Sequence, residues 1–123
     1  MASSWSNQVN LSEIVEKLQL QVRAGESALA NQVRGGYASD LMSDVIAHGR
    51  KGDLWVTLQT HQNTVAVAGL KALAGVVLVN GREPEADTLQ RAKDENVPLL
   101  VSSLPAFELI GRLYSLGLSG IRT

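Results

Sequence analysis

Leu54-Trp55-Val56-Thr57-Leu58-Gln59, Val76-Val77-Leu78-Val79-Asn80-Gly81 and Pro98-Leu99-Leu100-Val101-Ser102-Ser103 are three short apolar runs whose starts lie 22 residues apart both times. Each run is continuous and rich in Val and Leu, the pattern of a strand covered on both faces. Polar or turn residues follow each one, and then a helical pattern begins. An interval of this length holds one strand and one crossover helix, so the spacing predicts consecutive βα units and a parallel sheet. Right-handed crossovers then leave few topologies. The expected fold class is α/β: a single layered domain with a central, mostly parallel sheet on 54–58, 76–79 and 99–101, flanked by helices at 62–73, 84–96 and 105–116.

The helices carry their own signals. In 84–96, Pro84 fits the first turn, and Glu83, Glu85 and Asp87 favour the positive end of the helix. Ala86, Leu89 and Ala92 form the expected buried stripe, with Gln90, Arg91, Lys93, Asp94 and Glu95 toward water. In 105–116, Phe107, Ile110, Leu113 and Tyr114 recur at helical spacing and Gly117 is the stop. In 62–73, Val65, Ala66, Val67, Ala68, Leu70, Ala72 and Leu73 leave almost no polar face. A helix apolar all round needs cover on more than one side. In a domain this small, that predicts a second subunit.

The first half is less regular. Asn10 followed by Glu13 makes a capping box for a helix with Leu11, Ile14, Val15 and Leu18 on one face. Leu20 and Val22 alternate with polar residues as in a half-exposed edge strand, before a turn at Ala24-Gly25-Glu26. The stretch 32–37 reads as another strand, with Gly35-Gly36 marking a bulge or close backbone approach. Ser39 then caps a helix over 40–48 whose Leu41, Met42, Val45 and Ile46 turn inward, and Gly49 ends it. The expected organisation is a polar tail over 1–10, one domain over 11–118 and a short tail over 119–123.

Composition bounds the function. The chain has 123 residues, 45% hydrophobic and 19% charged, with a formal net charge of −1. A charge so near zero argues against gripping nucleic-acid phosphates. There is no cysteine, so disulfides, thiol nucleophiles and cysteine-ligated metal clusters are excluded. No secretory leader and no membrane-spanning run is legible, so the expectation is a cytoplasmic protein without membrane or nucleic-acid partners.

The stretch Gly35-Gly36-Tyr37-Ala38-Ser39-Asp40-Leu41-Met42-Ser43-Asp44-Val45, followed by Gly52-Asp53-Leu54-Trp55-Val56-Thr57, resembles the DRTGG domain family. So do Gly75-Val76-Val77-Leu78-Val79-Asn80-Gly81, the Asn96-Val97-Pro98-Leu99-Leu100 entry into a strand, and Ser102-Ser103. The resemblance implies a fold similar to the N-terminal domain of bifunctional HPr kinase/phosphorylase, without the kinase domain. It further implies a non-catalytic, dimerising regulatory or interaction module, with a protein partner in a redox or signalling pathway. One segment departs from the family. After the tryptophan-containing strand the pattern has an acidic residue, an arginine and a hydroxyl residue, whereas this chain reads Thr60-His61-Gln62-Asn63. Whatever the acidic–basic pair does in the family is not carried over to these residues.

No enzyme chemistry emerges from the motifs. A phosphate-cradling loop needs Gly-x4-Gly-Lys-Ser/Thr, and the nearest stretch, Gly49-Arg50-Lys51-Gly52-Asp53, lacks both the spacing and the hydroxyl. His48 and His61 are the two histidines and are not spaced as metal ligands. Ser39, Asp40 and His61 have no nucleophile-elbow context. The expectation is therefore no catalytic residue, no metal and no cofactor. If a ligand binds, the carboxyl ends of parallel strands are where it sits. That edge carries Thr60, His61, Gln62 and Asn63, then Asn80 and Arg82, then Ser102 and Ser103. A helix N-terminus near His61 and the Arg82 guanidinium suit a phosphate or carboxylate. The alternative function is thus a sensor of a nucleotide or other anion. Against it stands the ordinary reading of Ser102, Ser103, Thr60 and Asn80 as helix caps.

Overall fold

The computed structural model describes residues 9–121. Trp5 and most of the 1–10 segment lie outside that range. The chain runs β1 (Val9–Asn10), α1 (Leu11–Leu18), β2 (Gln21–Ala24), a 3₁₀ turn (Glu26–Ala28), β3 (Gln32–Val33), β4 (Gly35–Ala38), α2 (Met42–His48), β5 (Asp53–Thr57), α3 (Asn63–Leu70), β6 (Gly75–Leu78), α4 (Ala86–Glu95), β7 (Leu99–Val101) and α5 (Ala106–Ser115). Five strands form one sheet in the order β2-β7-β6-β5-β4. The pairs β4–β5, β5–β6 and β6–β7 are parallel, and β2 joins β7 antiparallel. The fold class is α/β with a mostly parallel sheet, and the three evenly spaced runs are its central strands.

From β4 to β7 every crossover steps one strand in the same direction. Right-handed crossovers that keep one direction put their helices on one face. Side-chain alternation along the strands shows the result. Trp55, Val76, Leu78, Leu99 and Val101 pack with Val45 of α2, Val65 and Ala68 of α3 and Ala92 of α4. Leu54, Val56, Val77 and Leu100 pack on the other face with Leu11 and Ile14 of α1 and Leu109 and Leu113 of α5. The molecule has three layers with the sheet in the middle. Each fully buried Leu or Val contributes about 1.5–3 kcal/mol relative to exposure, so these two clusters hold the layers together.

Several expectations need correction. The apolar helix α3 sits in the layer between α2 and α4, so Thr64, Val65, Val67 and Ala68 are buried within the subunit, while Gly69 and Leu70 remain exposed. The expected Ser39-capped helix starts later, at Met42, with Leu41 in the cap position and no side-chain cap. Asp40 is drawn instead to the end of β5, and Leu41 and Ile46 face solvent. On α4 the buried pair is Thr88 and Ala92, with Ala86 exposed and Leu89 half-buried. Pro84 and Pro105 precede their helices, which begin at Ala86 and Ala106. On α5, Leu109 and Leu113 are buried, while Phe107 is 91% and Tyr114 62% exposed.

The ends of the domain are tied down. Val9 and Asn10 pair with β3, and the Asn10 side chain accepts from the Glu13 N–H while Glu13 caps the Asn10 N–H in return. Beyond α5, the Ser119 carbonyl accepts the Gly36 N–H at 3.1 Å. The link from β2 to β4 crosses the sheet at the amino ends of the parallel strands. There Gly25, at φ +82°, lies so close to Pro98 that a Cβ would fall 2.4 Å from the Pro98 nitrogen.

Candidate functional site

The carboxyl ends of β4 to β7 form a row of loops, and the expected site residues are spread along it. Thr60 is half-buried and its side chain donates to Glu85 Oε2 at 3.3 Å. Its carbonyl accepts the Thr88 hydroxyl at 2.7 Å and the Glu85 N–H at 3.3 Å. Thr60 therefore couples the end of β5 to the start of α4. His61 is exposed, and its Nδ1 accepts the Asn63 N–H at 3.1 Å. The Thr64 N–H goes to the His61 carbonyl, and the Val65 and Ala66 N–H groups go to the Gln62 carbonyl. The first N–H donors of α3 are thus engaged by the turn that precedes them.

Asn80 and Gly81 both have positive φ, +58° and +65°. That geometry lets the Asn80 N–H reach the Leu104 carbonyl at 2.9 Å and the Gly81 N–H reach the Ser102 carbonyl at 2.8 Å. Ser102 is buried, and its Oγ accepts the Leu104 N–H at 3.1 Å. The structure brings Asn80 and Ser102 together at the ends of β6 and β7. Thr60 and His61 lie in the β5–α3 loop, and no hydrogen bond links their side chains to Asn80 or Ser102 among the described residues. Arg82 is exposed, and Ser103 lines a polar hollow of about 200 Å³ with Gln21, Arg23 and Glu83. In that hollow Glu83 binds Arg23 through two hydrogen bonds of 2.7 Å each. The pairing holds the Glu83 carboxyl below the ordinary carboxylate range.

Sequence reasoning missed the residue that organises this edge. Asp40 Oδ1 accepts from the Thr57 hydroxyl at 2.9 Å and from the Leu58 N–H at 2.7 Å. The Asp40 carbonyl takes the Gln59 amide at 2.8 Å. One aspartate thereby closes the end of β5, and charge-assisted bonds of this kind are the strong ones. Beside it, the Trp55 Nε1 donates to the Ser39 carbonyl at 2.8 Å. In the sequence Asp40 reads as the first residue of the Ser39-capped helix, which gives no sign of a bond to β5. Two carboxylates, Asp40 and Glu85, are therefore seated in the row where an anion would have to bind, and both accept hydrogen bonds there.

Three hollows have apolar walls. One of about 310 Å³ lies between the free edge of β4 and α5, over Val56, Ile110, Leu113 and Leu118. A smaller one of about 200 Å³ adjoins it at Ala38 and Val56. The third, about 350 Å³, runs between α2 and α3 along Met42, Ile46, Ala66, Val67 and Leu70. Among the described residues no group of three or more His, Asp or Glu side chains is placed to hold a metal, and no helix is long and apolar enough to cross a membrane.

No protein-family model matches the chain, and no curated protein matches its sequence. Among solved structures, it is similar to the CBS and DRTGG domains of the regulatory region of Clostridium perfringens pyrophosphatase, crystallised with the activator diadenosine tetraphosphate. The TM-score is 0.70 at 13% identity, over 96% of this chain and 50% of that one. This chain thus spans about half the length of that structure. In fold, the chain is a DRTGG-like domain.

Proposed function

We propose that this domain is a non-catalytic regulatory or interaction module of the cytoplasm that pairs with a second copy through α2 and α3. One observation carries the reading: α3 has no charged side chain from Asn63 to Leu70, whereas α1, α4 and α5 each carry acids and bases. Surface helices of a monomer normally turn a charged face to water. Here the outward positions are Asn63, Ala66, Gly69 and Leu70, with Leu70 71% exposed and Ile46 of α2 42% exposed beside the same groove. A contact that covers both helices on two copies is expected to bury at least ~1,200 Å² in total. The regulatory half of the proposal draws on the solved structure of the same fold, which belongs to the regulatory region of an enzyme. The anion-sensor reading has less support, because the donors on the strand-end row are engaged and two carboxylates stand among them.

Light scattering at tens of micromolar tests the pairing. The wild-type chain is expected at twice the monomer mass and Leu70→Glu at the monomer mass, with unchanged far-UV circular dichroism. A monomeric wild type, or a Leu70→Glu protein that still dimerises, contradicts the proposal.

A further inference from the structure

We propose that the free edge of β4 binds a neutral, planar ring compound with a cis-amide edge, held by the backbone N–H and C=O of Ala38. The inference stands independently of the pairing through α2 and α3, since it concerns the opposite face of the sheet.

Among the described residues, strand β4 ends the sheet and pairs with β5 alone. Along such a strand, successive residues turn their backbone polar groups alternately toward the neighbour and away from it. The Ser39 N–H points inward, to the Val56 carbonyl at 3.3 Å, and the Gly36 N–H points outward, to Ser119 at 3.1 Å. Ala38 lies one residue from the first and two from the second. Its N–H and C=O therefore both face the open edge, and no described residue meets them there. A residue in that position exchanges two hydrogen bonds with whatever lies opposite, as in the hydrogen-bonded pairs of antiparallel sheets. A cis-amide presents the matching acceptor and donor side by side.

The surroundings narrow the ligand class. Ala38 and Val56 line both adjoining hollows, of about 310 and 200 Å³. Together these reach the size of ordinary small-molecule pockets, about 300–1,000 Å³. The larger hollow is floored by Val56, Ile110, Leu113 and Leu118, which suits the face of a ring. Neither hollow is lined by Lys, Arg or His, and Asp40 stands in the smaller one. A phosphate or carboxylate would meet no cation and one negative charge. A cation would lose water over a larger hollow lined by no charged group, with Asp40 Oδ1 already bonded to Thr57 and Leu58, so a neutral ligand fits best. An added peptide strand is disfavoured for a separate reason. It needs several consecutive edge groups, and the next outward N–H, at Gly36, is already taken by Ser119.

The test is a ¹⁵N–¹H titration of the full chain with isoquinolin-1(2H)-one, a neutral cyclic amide, and with its N-methyl derivative, which lacks the donor. The lactam is expected to move the Ala38 amide peak saturably, with a Kd on the order of 1 mM for so small a ring. The N-methyl compound should bind at least about tenfold more weakly, as the loss of one of two paired bonds requires. Ala38→Pro removes the N–H from an edge position that does not serve the ladder, and Ala38→Leu keeps the N–H but fills the hollow. Both should abolish the shift, and Ala38→Leu alone suffices if the proline variant does not fold. The proposal is overturned by the absence of a saturable shift at Ala38. Equal binding of the two compounds overturns it too, as does an Ala38 amide already protected from solvent exchange in the free protein.

Discussion

The Tyr37 hydroxyl donates to Asp44 Oδ2 at 2.7 Å and so fastens the edge strand β4 to helix α2. The bond shifts both titrations. The Asp44 carboxyl is held below its usual range by Tyr37 first, then by Ser39 and by the nearby His48. The Tyr37 hydroxyl is held above its usual value, chiefly by the bond to Asp44. A depressed carboxylate contributes stability above its unfolded pKa, about 3.9, and loses it as pH falls through the folded value. A raised tyrosine contributes below its unfolded pKa, about 10, and loses it as pH rises through the folded value. Urea midpoints of wild type and Tyr37→Phe should therefore differ most between these limits and converge at both extremes. Parallel curves across the whole range would contradict the linked titrations, and coincident curves would show that the bond contributes nothing.

Asp40 should matter more than its exposed position suggests. Replacement by Ala removes the acceptor for both the Thr57 hydroxyl and the Leu58 N–H. Hydrogen bonds to a charged group contribute about 1.5–3 kcal/mol, so Asp40→Ala is expected to lose about 2 kcal/mol in urea denaturation at pH 7. Asp40→Asn retains the Oδ1 acceptor and should lose about half as much. A loss within experimental error for Asp40→Ala would show that water replaces the carboxylate without cost.

Two glycines with positive φ should respond differently to alanine. At Gly25 the new Cβ would fall against the backbone of Val97 and Pro98, whereas at Gly81 nothing lies within 4 Å. Gly81→Ala carries the left-handed penalty alone, about 1–2 kcal/mol. Gly25→Ala adds a clash with backbone that cannot move aside, and is expected to cost about 4 kcal/mol or more. Thermal or chemical unfolding of the two variants ranks them, and equal losses would refute the close approach at Pro98.

These contrasts show what could be read from the residues alone. The parallel sheet was legible because Val and Leu runs recur at one interval, and strands buried on both faces carry no competing pattern. The inward face of α5 was not. Ala106, Leu109, Ile110 and Leu113 and the set Phe107, Ile110, Leu113 and Tyr114 share helical spacing, so periodicity fits either stripe and packing chooses between them. The cover of α3 was equally hidden. Its buried face of Thr64, Val65, Val67 and Ala68 reflects a central place in a three-helix layer, which follows from the strand order, whereas Gly69 and Leu70 stay uncovered within the subunit. Thr60, Asn80 and Ser102 follow the ends of β5, β6 and β7, as the spacing of the runs implies. What the residue types could not reveal was that Asp40 and Glu85, from the β4–α2 and β6–α4 loops, turn onto the end of β5 and the loop after it.

The central claim, pairing through α2 and α3, is tested most directly by isotope-filtered NOE spectroscopy on a mixture of labelled and unlabelled chains. The account predicts intermolecular NOEs from the Leu70 and Ala66 methyls of one copy to Ala66, Met42 and Ile46 of the other. Intermolecular NOEs confined to Phe107 and Tyr114 of α5, or none at a tumbling rate that fits a single chain, would contradict it.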